Sequence, residues 1–488
     1  MNTVQVFATY TKQPITEYAG NPLIEALPPI LSVETAMDLI ANLPIEATPE
    51  ELALERSTRI HCIDRLRSVI QPMLIHLDLE SVFSLLIRRG YVGRNPTSPA
   101  TVRHLHSLSG AQRYHDGFKS TAETFSLVGL SGIGKSTALW AILSLYPQTI
   151  RHERFEGKQF VHTQITWLKL DCPRDGSLAG FCQEFFIAVG KALGDEDYHK
   201  RFRARNINDS LQQMAQVAST FFIGALLIDE IQNLHFAKTG GKDSMLNFFL
   251  HLVNNIGIPV VFIGTNSMVS LFSDVLRNAR RSCGVGIIEF KRFEKEDDEW
   301  KLLVKNLWSY QWCQQRSDLT DEIYNALYDH TQGVTDFLVK LLVLAQRYAI
   351  QSKEERITAA SIRLISDSKM QILKPALSAL RSRDPKQMSQ FEDLLPIDEQ
   401  LAGMMAFDLS SQPDRLALIL NVKRQQANSL TSPVESSTKA SKVIPAAAAT
   451  QKSFARSISE SSDPLAALRD AAWLNEDLFE FSPMYRKE

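Results

Sequence analysis

The sequence lacks several features that mark other classes of protein. No apolar run approaches the roughly 20 residues of a membrane-spanning helix, and the polar N-terminus has no signal-peptide pattern. Five cysteines lie without paired spacing, which excludes a disulfide framework and argues against structural zinc. With 53 Lys and Arg against 55 Asp and Glu, the 488-residue chain has no global basic field. We therefore expect a cytoplasmic protein that contacts no membrane and binds nucleic acid only through local patches. The cysteines are Cys62, Cys172, Cys182, Cys283 and Cys313.

The most informative segment is GLSGIGKS at residues 129–136, a complete G-x-x-x-x-G-K-[ST] phosphate-binding loop. A buried strand is predicted before it, at residues 124–128, and a helix after it, at residues 136–146. In this order the backbone N–H groups of the loop face a phosphate, and the helix adds its positive dipole end. Lys135 would reach the β- and γ-phosphates, and Ser136 would ligate Mg²⁺. The predicted nucleotide-binding residues are Gly129, Leu130, Ser131, Gly132, Ile133, Gly134, Lys135, Ser136 and Thr137.

A second half of the site is predicted where an apolar run ends in two acids. Residues 221–228 are continuously apolar, which favours a parallel strand covered on both faces, and Asp229 and Glu230 follow them. Asp229 could hold Mg²⁺ there, and Glu230 could polarise an attacking water. Alone, the pair is equally compatible with two solvated acids, but the phosphate-binding loop in the same chain favours the metal and base roles.

A third strand is predicted at residues 259–263, and polar residues follow its tip. If this strand lies between the phosphate-loop strand and the carboxylate strand, the tip lies beside the γ-phosphate. Thr265 or Asn266 could then hydrogen-bond that phosphate or the attacking water.

Arginines precede a fourth predicted strand at residues 286–290. Arg280 and Arg281 could reach the nucleotide of a neighbouring subunit and stabilise charge on the transferring phosphoryl group. A solvated basic helix end that complements its own dipole is the alternative interpretation.

Together these elements resemble the AAA+ ATPase module, and more narrowly the TnsC family with its relative TniB, regulators of target-selecting transposons. The narrower resemblance lies in QITWLKLDCPRDGSLAG at residues 164–180, RRGYVGRNP at residues 88–96 and GTN at residues 264–266. It covers about residues 55–370 and implies an α/β fold, an AAA+ P-loop ATPase with a parallel central sheet, followed by a small all-helical lid. The composition of the later residues predicts a partly disordered C-terminal extension.

The same resemblance implies cofactors and partners. ATP and Mg²⁺ would be bound, and ATP hydrolysis would switch between assembly and disassembly of a ring or helical oligomer on duplex DNA. Transposase subunits and a target-selection protein of the TniQ or TnsD type would be the partners, as in Tn-seven-like transposons, including the CRISPR-associated ones.

One position departs from the pattern of the AAA+ module. Its lids often present an arginine to the γ-phosphate from a helix that opens with Gly-x-x-Arg, whereas residues 333–340 carry Asp336 near that place. Lys340 is a possible substitute, with a surface role as the alternative.

Composition and periodicity divide the chain into seven segments. The predicted segments are a partner-binding or loosely docked arm (1–50), a helical extension (51–115), the ATPase core (116–292), the lid (293–370), a C-terminal helical extension (371–424), a disordered linker (425–462) and a partner-docking tail (463–488). For the tail, a helix packed back on the core is the alternative. The predicted lid interior is Leu327, Phe337, Leu338, Leu341, Leu342 and Leu344.

Basic side chains cluster at residues 199–205 and near Arg88, Arg89 and Arg94. Repeated around an oligomer, such clusters could follow a phosphate backbone without reading bases, although each alone could be a solvated surface. The predicted DNA contacts are Lys200, Arg201, Arg203 and Arg205.

Three functions are compatible with these features. The favoured one is an ATPase that assembles on DNA and links target-site selection to transposase recruitment. A DNA-loading or adaptor AAA+ ATPase without a transposase partner is the first alternative. A P-loop small-molecule kinase is the second, disfavoured because no pocket for an acceptor substrate is recognisable.

Overall fold

The computed structural model describes residues 5–109, 120–173, 176–203, 206–233, 248–249, 251–268, 286–352, 354–384 and 387. The chain divides into two units, Met1–Gln425 and Gln426–Glu488, and all of these residues belong to the first. The predicted disordered linker and docking tail lie outside the described residues. Within the described ranges, no helix is long and apolar enough to cross a membrane.

The regular elements are numbered along the chain within the described residues. The strands are β1 (Gln5–Phe7), β2 (Thr124–Gly129), β3 (Thr149–Phe155), β4 (Lys158–Ile165), β5 (Trp167–Asp171), β6 (Ala225–Asp229), β7 (Val260–Gly264) and β8 (Gly286–Phe290). The α-helices are α1 (Pro22–Glu25), α2 (Val33–Ile40), α3 (Pro49–Leu52), α4 (Arg56–Cys62), α5 (Leu74–Val92), α6 (Pro99–Ser109), α7 (Lys135–Leu143), α8 (Leu178–Leu193), α9 (Ile207–Thr220), α10 (Asp298–Trp308), α11 (Asp321–Thr331), α12 (Thr335–Gln351), α13 (Ala359–Lys369) and α14 (Lys374–Ser382). Short 3₁₀ segments span Ile63–Ser68, Tyr198–Arg201, Ile231–Asn233 and Gln371–Leu373, and a π-helical segment spans Leu252–Ile256.

A five-stranded sheet with the order β5-β6-β7-β2-β8 forms the centre of the described unit, and each neighbouring pair is parallel. Every residue of β2, β6 and β7 is buried, as expected for parallel strands covered on both faces. The predicted extra strand between the phosphate-loop strand and the carboxylate strand is confirmed as β7. Because carboxyl ends of parallel strands share one edge, the tips of β2, β6 and β7 are neighbours.

The strand predicted at residues 221–228 is shorter than expected, since β6 begins only at Ala225. The preceding residues form a turn that closes α9: Phe222 has a φ of 43°, and the Ile223 N–H donates to the Ala218 carbonyl. Phe222 and Ile223 are nevertheless buried. The turn residues are apolar because they are buried, and the sequence pattern therefore predicted a strand that is longer than β6.

The helical stretch predicted before the core is also interrupted. Ile63–Ser68 is 3₁₀, the following residues are extended, and α5 begins only at Leu74. Pro72 disfavours helical backbone at Gln71, and Ile70 pairs instead with Asn42 in an antiparallel bridge.

The N-terminal arm is not loosely docked, contrary to the expectation for residues 1–50. Leu23 and Ile24 are fully buried in the same apolar cluster as the centre of the sheet. Strand β1 pairs with β3, which forms an antiparallel hairpin with β4. The Tyr10 hydroxyl lies 2.8 Å from His152 Nδ1, whose Nε2 lies 2.8 Å from Gln164 Oε1. The described part of the arm therefore belongs to the folded core.

Helices α10 to α13 form the predicted helical lid around buried Trp300 and Trp312. Four predicted interior leucines are buried, and Phe337 and Leu344 pack against them partly buried; the four are Leu327, Leu338, Leu341 and Leu342. The N-terminal extension fastens onto this lid, because Arg59 Nη2 lies 2.8 Å from Glu355 Oε2.

Candidate nucleotide site

The predicted phosphate loop connects β2 to α7 at the edge of the sheet. Gly132 and Gly134 have φ angles of 78° and 108°, left-handed conformations that favour glycine over residues with a side chain. Gly134 is the N-cap residue of α7, so the helix begins at Lys135 directly after the loop. The loop N–H groups and the positive end of the helix dipole are therefore available to one anionic group.

The Lys135 side chain lies along this loop. Its Nζ donates to the carbonyls of Gly129 at 2.8 Å and Leu130 at 2.9 Å, and the residue is 9% exposed. The ammonium is thus held beside the backbone that would surround a phosphate.

Asp229 and Ser136 meet where β6 ends and α7 begins. Ser136 Oγ lies 3.4 Å from Asp229 Oδ2, and Asp229 Oδ1 accepts the Glu230 N–H at 3.0 Å. Asp229 is 5% exposed. A hydroxyl and a carboxylate are hard oxygen ligands, and at this separation a single small cation could contact both. The donor set therefore fits Mg²⁺.

Sequence reasoning missed Lys169, on the neighbouring strand β5. Its Nζ lies 3.0 Å from Asp229 Oδ2 and also contacts Asp171 Oδ1. Burial lowers the pKa of Lys169, but the hydrogen bond to Asp171 and the charge of Asp229 outweigh burial, so the net shift is upward. Lys169 is therefore a charged group in contact with the candidate metal ligand.

Glu230 has an unusual backbone and a defined side-chain partner. Its φ is 55°, a left-handed conformation uncommon for residues other than glycine and often associated with functional sites. Gln232 Nε2 donates to Glu230 Oε2 at 2.6 Å, and the Thr265 N–H lies 3.4 Å from Gln232 Oε1. A Cβ atom on Gly264 would lie 2.6 Å from that same Oε1. Gln232, which sequence reasoning also missed, thus links the predicted base to the predicted strand tip.

Both predicted tip residues follow β7. Thr265 is buried and its Oγ1 lies 2.8 Å from Ser267 Oγ, while Asn266 is partly exposed. Thr265 is therefore connected to Glu230 by Gln232, whose side chain contacts both residues.

The lid contacts the phosphate loop through the first turn of α12. Thr335 Oγ1 donates to the Ile133 carbonyl at 2.8 Å, and the Asp336 N–H donates to the Gly132 carbonyl at 3.0 Å. Lys340 Nζ is paired with Asp336 Oδ2 at 2.5 Å. Loop and lid are therefore joined directly, with an acid rather than an arginine at the contact.

A cavity of about 780 Å³ lies between the phosphate loop, residues 67–78 and the lid. Its lining is mixed. Residues 131–137, Glu230 and Thr265 contribute to it, together with apolar side chains such as Ile70, Leu303 and Val339 and charged ones such as Asp78, Arg292 and Glu299. A ligand that combines anionic and apolar portions suits this mixed lining.

The prediction of a basic surface cluster near Arg88, Arg89 and Arg94 is wrong for two of these residues. Arg88 and Arg94 are 1% and 5% exposed. Arg94 Nη1 donates to the Ile223 carbonyl at 2.6 Å, and burial lowers the pKa of Arg94 to about 10. Both arginines hold the interior together, while Arg89 is half-exposed and paired with Glu123.

The other predicted cluster is at the surface. Lys200, Arg201 and Arg203 are exposed, and the first two pair with Asp197 and Asp195 at 2.7 and 2.5 Å. Arg205, Arg280 and Arg281 lie outside the described residues.

Sheet order, phosphate loop and helical lid define the fold as that of an AAA+ P-loop ATPase. Residues 119–272 match a family model described as an AAA domain. No curated protein matches the chain.

Three solved structures are among those to which the chain is similar. A Walker-type ATPase of Pyrococcus abyssi shares 16% identity at a TM-score of 0.35, over 62% of this chain and 84% of its own. Cdc6p from Pyrobaculum aerophilum shares 14% at 0.35, over 69% and 98%. A chain of Drosophila ORC bound to DNA shares 10% at 0.37, over 79% and 87%.

Proposed function

We propose that this chain binds and hydrolyses ATP with Mg²⁺, assembles on duplex DNA, and links target-site selection to transposase recruitment. The observation that carries the ATP part is that Lys135, Ser136 and Glu230 line one cleft, which the lid helix α12 also borders, and that Asp229 contacts Ser136 there. The resemblance to TnsC and TniB supports the transposition part.

Each residue of the cleft has a proposed role. The loop N–H groups and Lys135 would bind the phosphates, and Ser136 and Asp229 would hold Mg²⁺. When bound, the ion would neutralise charge on the phosphates. Glu230 would orient and accept a proton from the attacking water, while Gln232 and Thr265 would fix the Glu230 carboxylate.

The DNA part is supported by Lys200, Arg201 and Arg203. Lys200 pairs with Asp197 and Arg201 with Asp195 at the surface, and surface ion pairs contribute little to stability, so phosphate oxygens could replace these carboxylates. Backbone contacts of this kind position a protein on DNA without reading sequence.

Duplex binding and ATPase activity test this proposal together. Replacement of Lys200, Arg201, Arg203 and Arg205 by alanine should weaken binding to all duplex sequences alike and reduce the dependence on salt. The control is the wild-type chain with the single substitution Lys158→Met, which removes an exposed lysine on β4. An unchanged salt slope would move the DNA contact elsewhere, and ATPase activity indifferent to DNA would favour a kinase.

Mixed assemblies test the proposed role of Arg280 and Arg281. Their replacement by alanine should lower ATPase activity and leave ATP affinity of the single subunit unchanged, because the arginine would act on a neighbour's nucleotide. Lys135→Ala subunits supply arginines without a working site and should partly restore activity. No restoration in confirmed mixed assemblies would assign both arginines to their own chain.

The transposase link is tested by truncation after Ser462, which removes the predicted docking tail. Its apolar anchors in an acidic frame suit a partner-binding peptide. Pull-down of the transposase should be lost while DNA-stimulated ATPase activity remains. A full-length chain that retains no transposase would support the DNA-loading alternative, and a truncated chain that loses ATPase activity would make the tail part of the fold.

A further inference from the structure

We propose that Lys169 is a positioning residue of the metal site, which holds Asp229 in the absence of Mg²⁺ and shifts to Asp171 when the ion binds. The inference rests on the proposed Mg²⁺ site. Its basis is the position of Lys169 Nζ between two carboxylates, 3.0 Å from Asp229 Oδ2 and in contact with Asp171 Oδ1.

The first step of the argument is the burial of Asp229. The side chain is 7% exposed, and a buried carboxylate without a nearby cation is strongly disfavoured. Its Oδ1 accepts the Glu230 N–H, and Lys169 supplies the positive charge at Oδ2. Lys169 therefore stabilises Asp229 in the position that a metal ligand needs.

The second step is competition for one oxygen. Ser136 Oγ lies 3.4 Å from the same Oδ2 that Lys169 contacts. An ion held by Ser136 and this oxygen would lie close to the ammonium, and two cations in a buried site repel each other. Lys169 at Asp229 and Mg²⁺ at Asp229 are therefore competing arrangements.

The third step is an alternative position for the ammonium. The parallel register pairs Asp171 with Asp229, and Lys169 lies two residues before Asp171 on the same strand, hence on the same face. Asp171 is 77% exposed, so its carboxylate can follow the ammonium outward. Trp140 packs beside the lysine, with Nζ 5.9 Å from its ring centroid. Lys169 can thus leave Asp229 and keep a charge partner.

This exchange makes metal binding depend on nucleotide. An ion alone must displace the ammonium, whereas an ion that arrives with phosphate oxygens gains additional ligands. The wild-type chain should consequently bind a divalent ion weakly without nucleotide.

Binding of Mn²⁺, measured by EPR on the nucleotide-free full chain, tests the exchange. Lys169→Met keeps most of the length of the side chain and removes its charge, so it should bind Mn²⁺ about tenfold more tightly than the wild type. Lys169→Arg should retain the weak wild-type binding, and Lys158→Met serves as the control. Equal or weaker Mn²⁺ binding by Lys169→Met would overturn the proposal.

Asp171→Asn gives a second test that does not rely on a buried change. Because it weakens the alternative position of the ammonium, it should make Mn²⁺ bind less tightly, opposite to Lys169→Met. Tighter binding by Asp171→Asn would also overturn the exchange. Thermal stabilisation of the wild type by Mg²⁺ with ATP is measured in parallel, since its absence would reject the proposed function rather than the role of Lys169.

Discussion

Gln232 donates a hydrogen bond to Glu230, with 2.6 Å between Gln232 Nε2 and Glu230 Oε2. The same amide lies against Thr265, so the proposed base is tied to the tip of a neighbouring strand. A carboxylate held in one orientation is already placed to accept a proton from a bound water molecule. This positioning is a main reason why general bases in enzymes accelerate reactions.

Gln232→Ala should slow ATP hydrolysis about tenfold or more while ATP affinity stays near the wild-type value. A hydrogen bond to a charged group contributes about 1.5–3 kcal/mol, and its loss releases the Glu230 carboxylate. Steady-state ATPase assays and binding of a fluorescent ATP analogue measure the two effects. Gln159→Ala, at an exposed position of β4, is the control. A wild-type turnover rate in Gln232→Ala would mean that Glu230 needs no such restraint.

Lys135→Ala and Glu230→Gln should fail at different steps. The first removes the cation of the phosphate loop and should abolish ATP binding. The second keeps the binding residues and should slow turnover at least about 100-fold, because the water loses its base. Assemblies of Glu230→Gln on DNA should therefore be long-lived. Hydrolysis by Glu230→Gln at the wild-type rate would remove Glu230 from the role of base.

Gly333→Ala should destabilise the joint between sheet and lid. Gly333 has a φ of 75°, and an added Cβ would lie 1.9 Å from the Phe293 carbonyl oxygen. Gly157→Ala is a matched control, because its φ of 78° is similar and nothing lies within 4 Å of its added Cβ. The control should cost about 1 kcal/mol of unfolding free energy through backbone strain alone, and Gly333→Ala several times more. Urea unfolding measures both. Equal losses of unfolding free energy in the two variants would show that the backbone near Gly333 and Phe293 adjusts to the added Cβ without further destabilisation.

Stability should fall as the pH drops from about 6.5 to about 4, partly through His76 and His152. Burial lowers the pKa of each from 6.5 to about 4. In that window the unfolded chain binds protons that the folded chain excludes, so each histidine costs about 2–3 kcal/mol at pH 4.5 relative to pH 7. Below the folded pKa the loss from these groups stops.

Variants at the two histidines test this pH dependence. His76→Asn and His152→Gln should each reduce the difference in unfolding free energy between pH 7 and pH 4.5. His61→Gln, at an exposed position of α4, should leave the difference unchanged. Acid sensitivity that persists in both buried variants would assign it to other groups.

The local half of the site could be predicted from sequence, whereas its long-range half could not. The phosphate loop depends on consecutive residues, and Asp229 directly ends a run of apolar ones. Lys169 and Gln232 have no such signal, because their roles depend on which strands are neighbours. Asp229 lies 3.0 Å from Lys169 only because β5 and β6 pair in this register.

The errors in the predicted fold have the same origin. Charge predicts an exposed side chain, but Arg88 and Arg94 find backbone carbonyls that compensate for burial, and these acceptors are distant in sequence. The weak apolar pattern of the N-terminal arm likewise hides Leu23 and Ile24, which fill space that other segments leave. Partners distant in sequence decide both outcomes.

The contact of Thr335 and Asp336 with the loop carbonyls lets a small rotation at the phosphate loop become a larger displacement in the lid. Helix α12 has 17 residues and is therefore about 25 Å long. The first turn of α12 is hydrogen-bonded to the loop, so the helix would rotate about that turn. A rotation of about 5° displaces its far end by about 2 Å. A small reorientation at the phosphate loop would thus move the last turn of α12, where Tyr348 and Gln351 are exposed, by a larger distance than the loop itself.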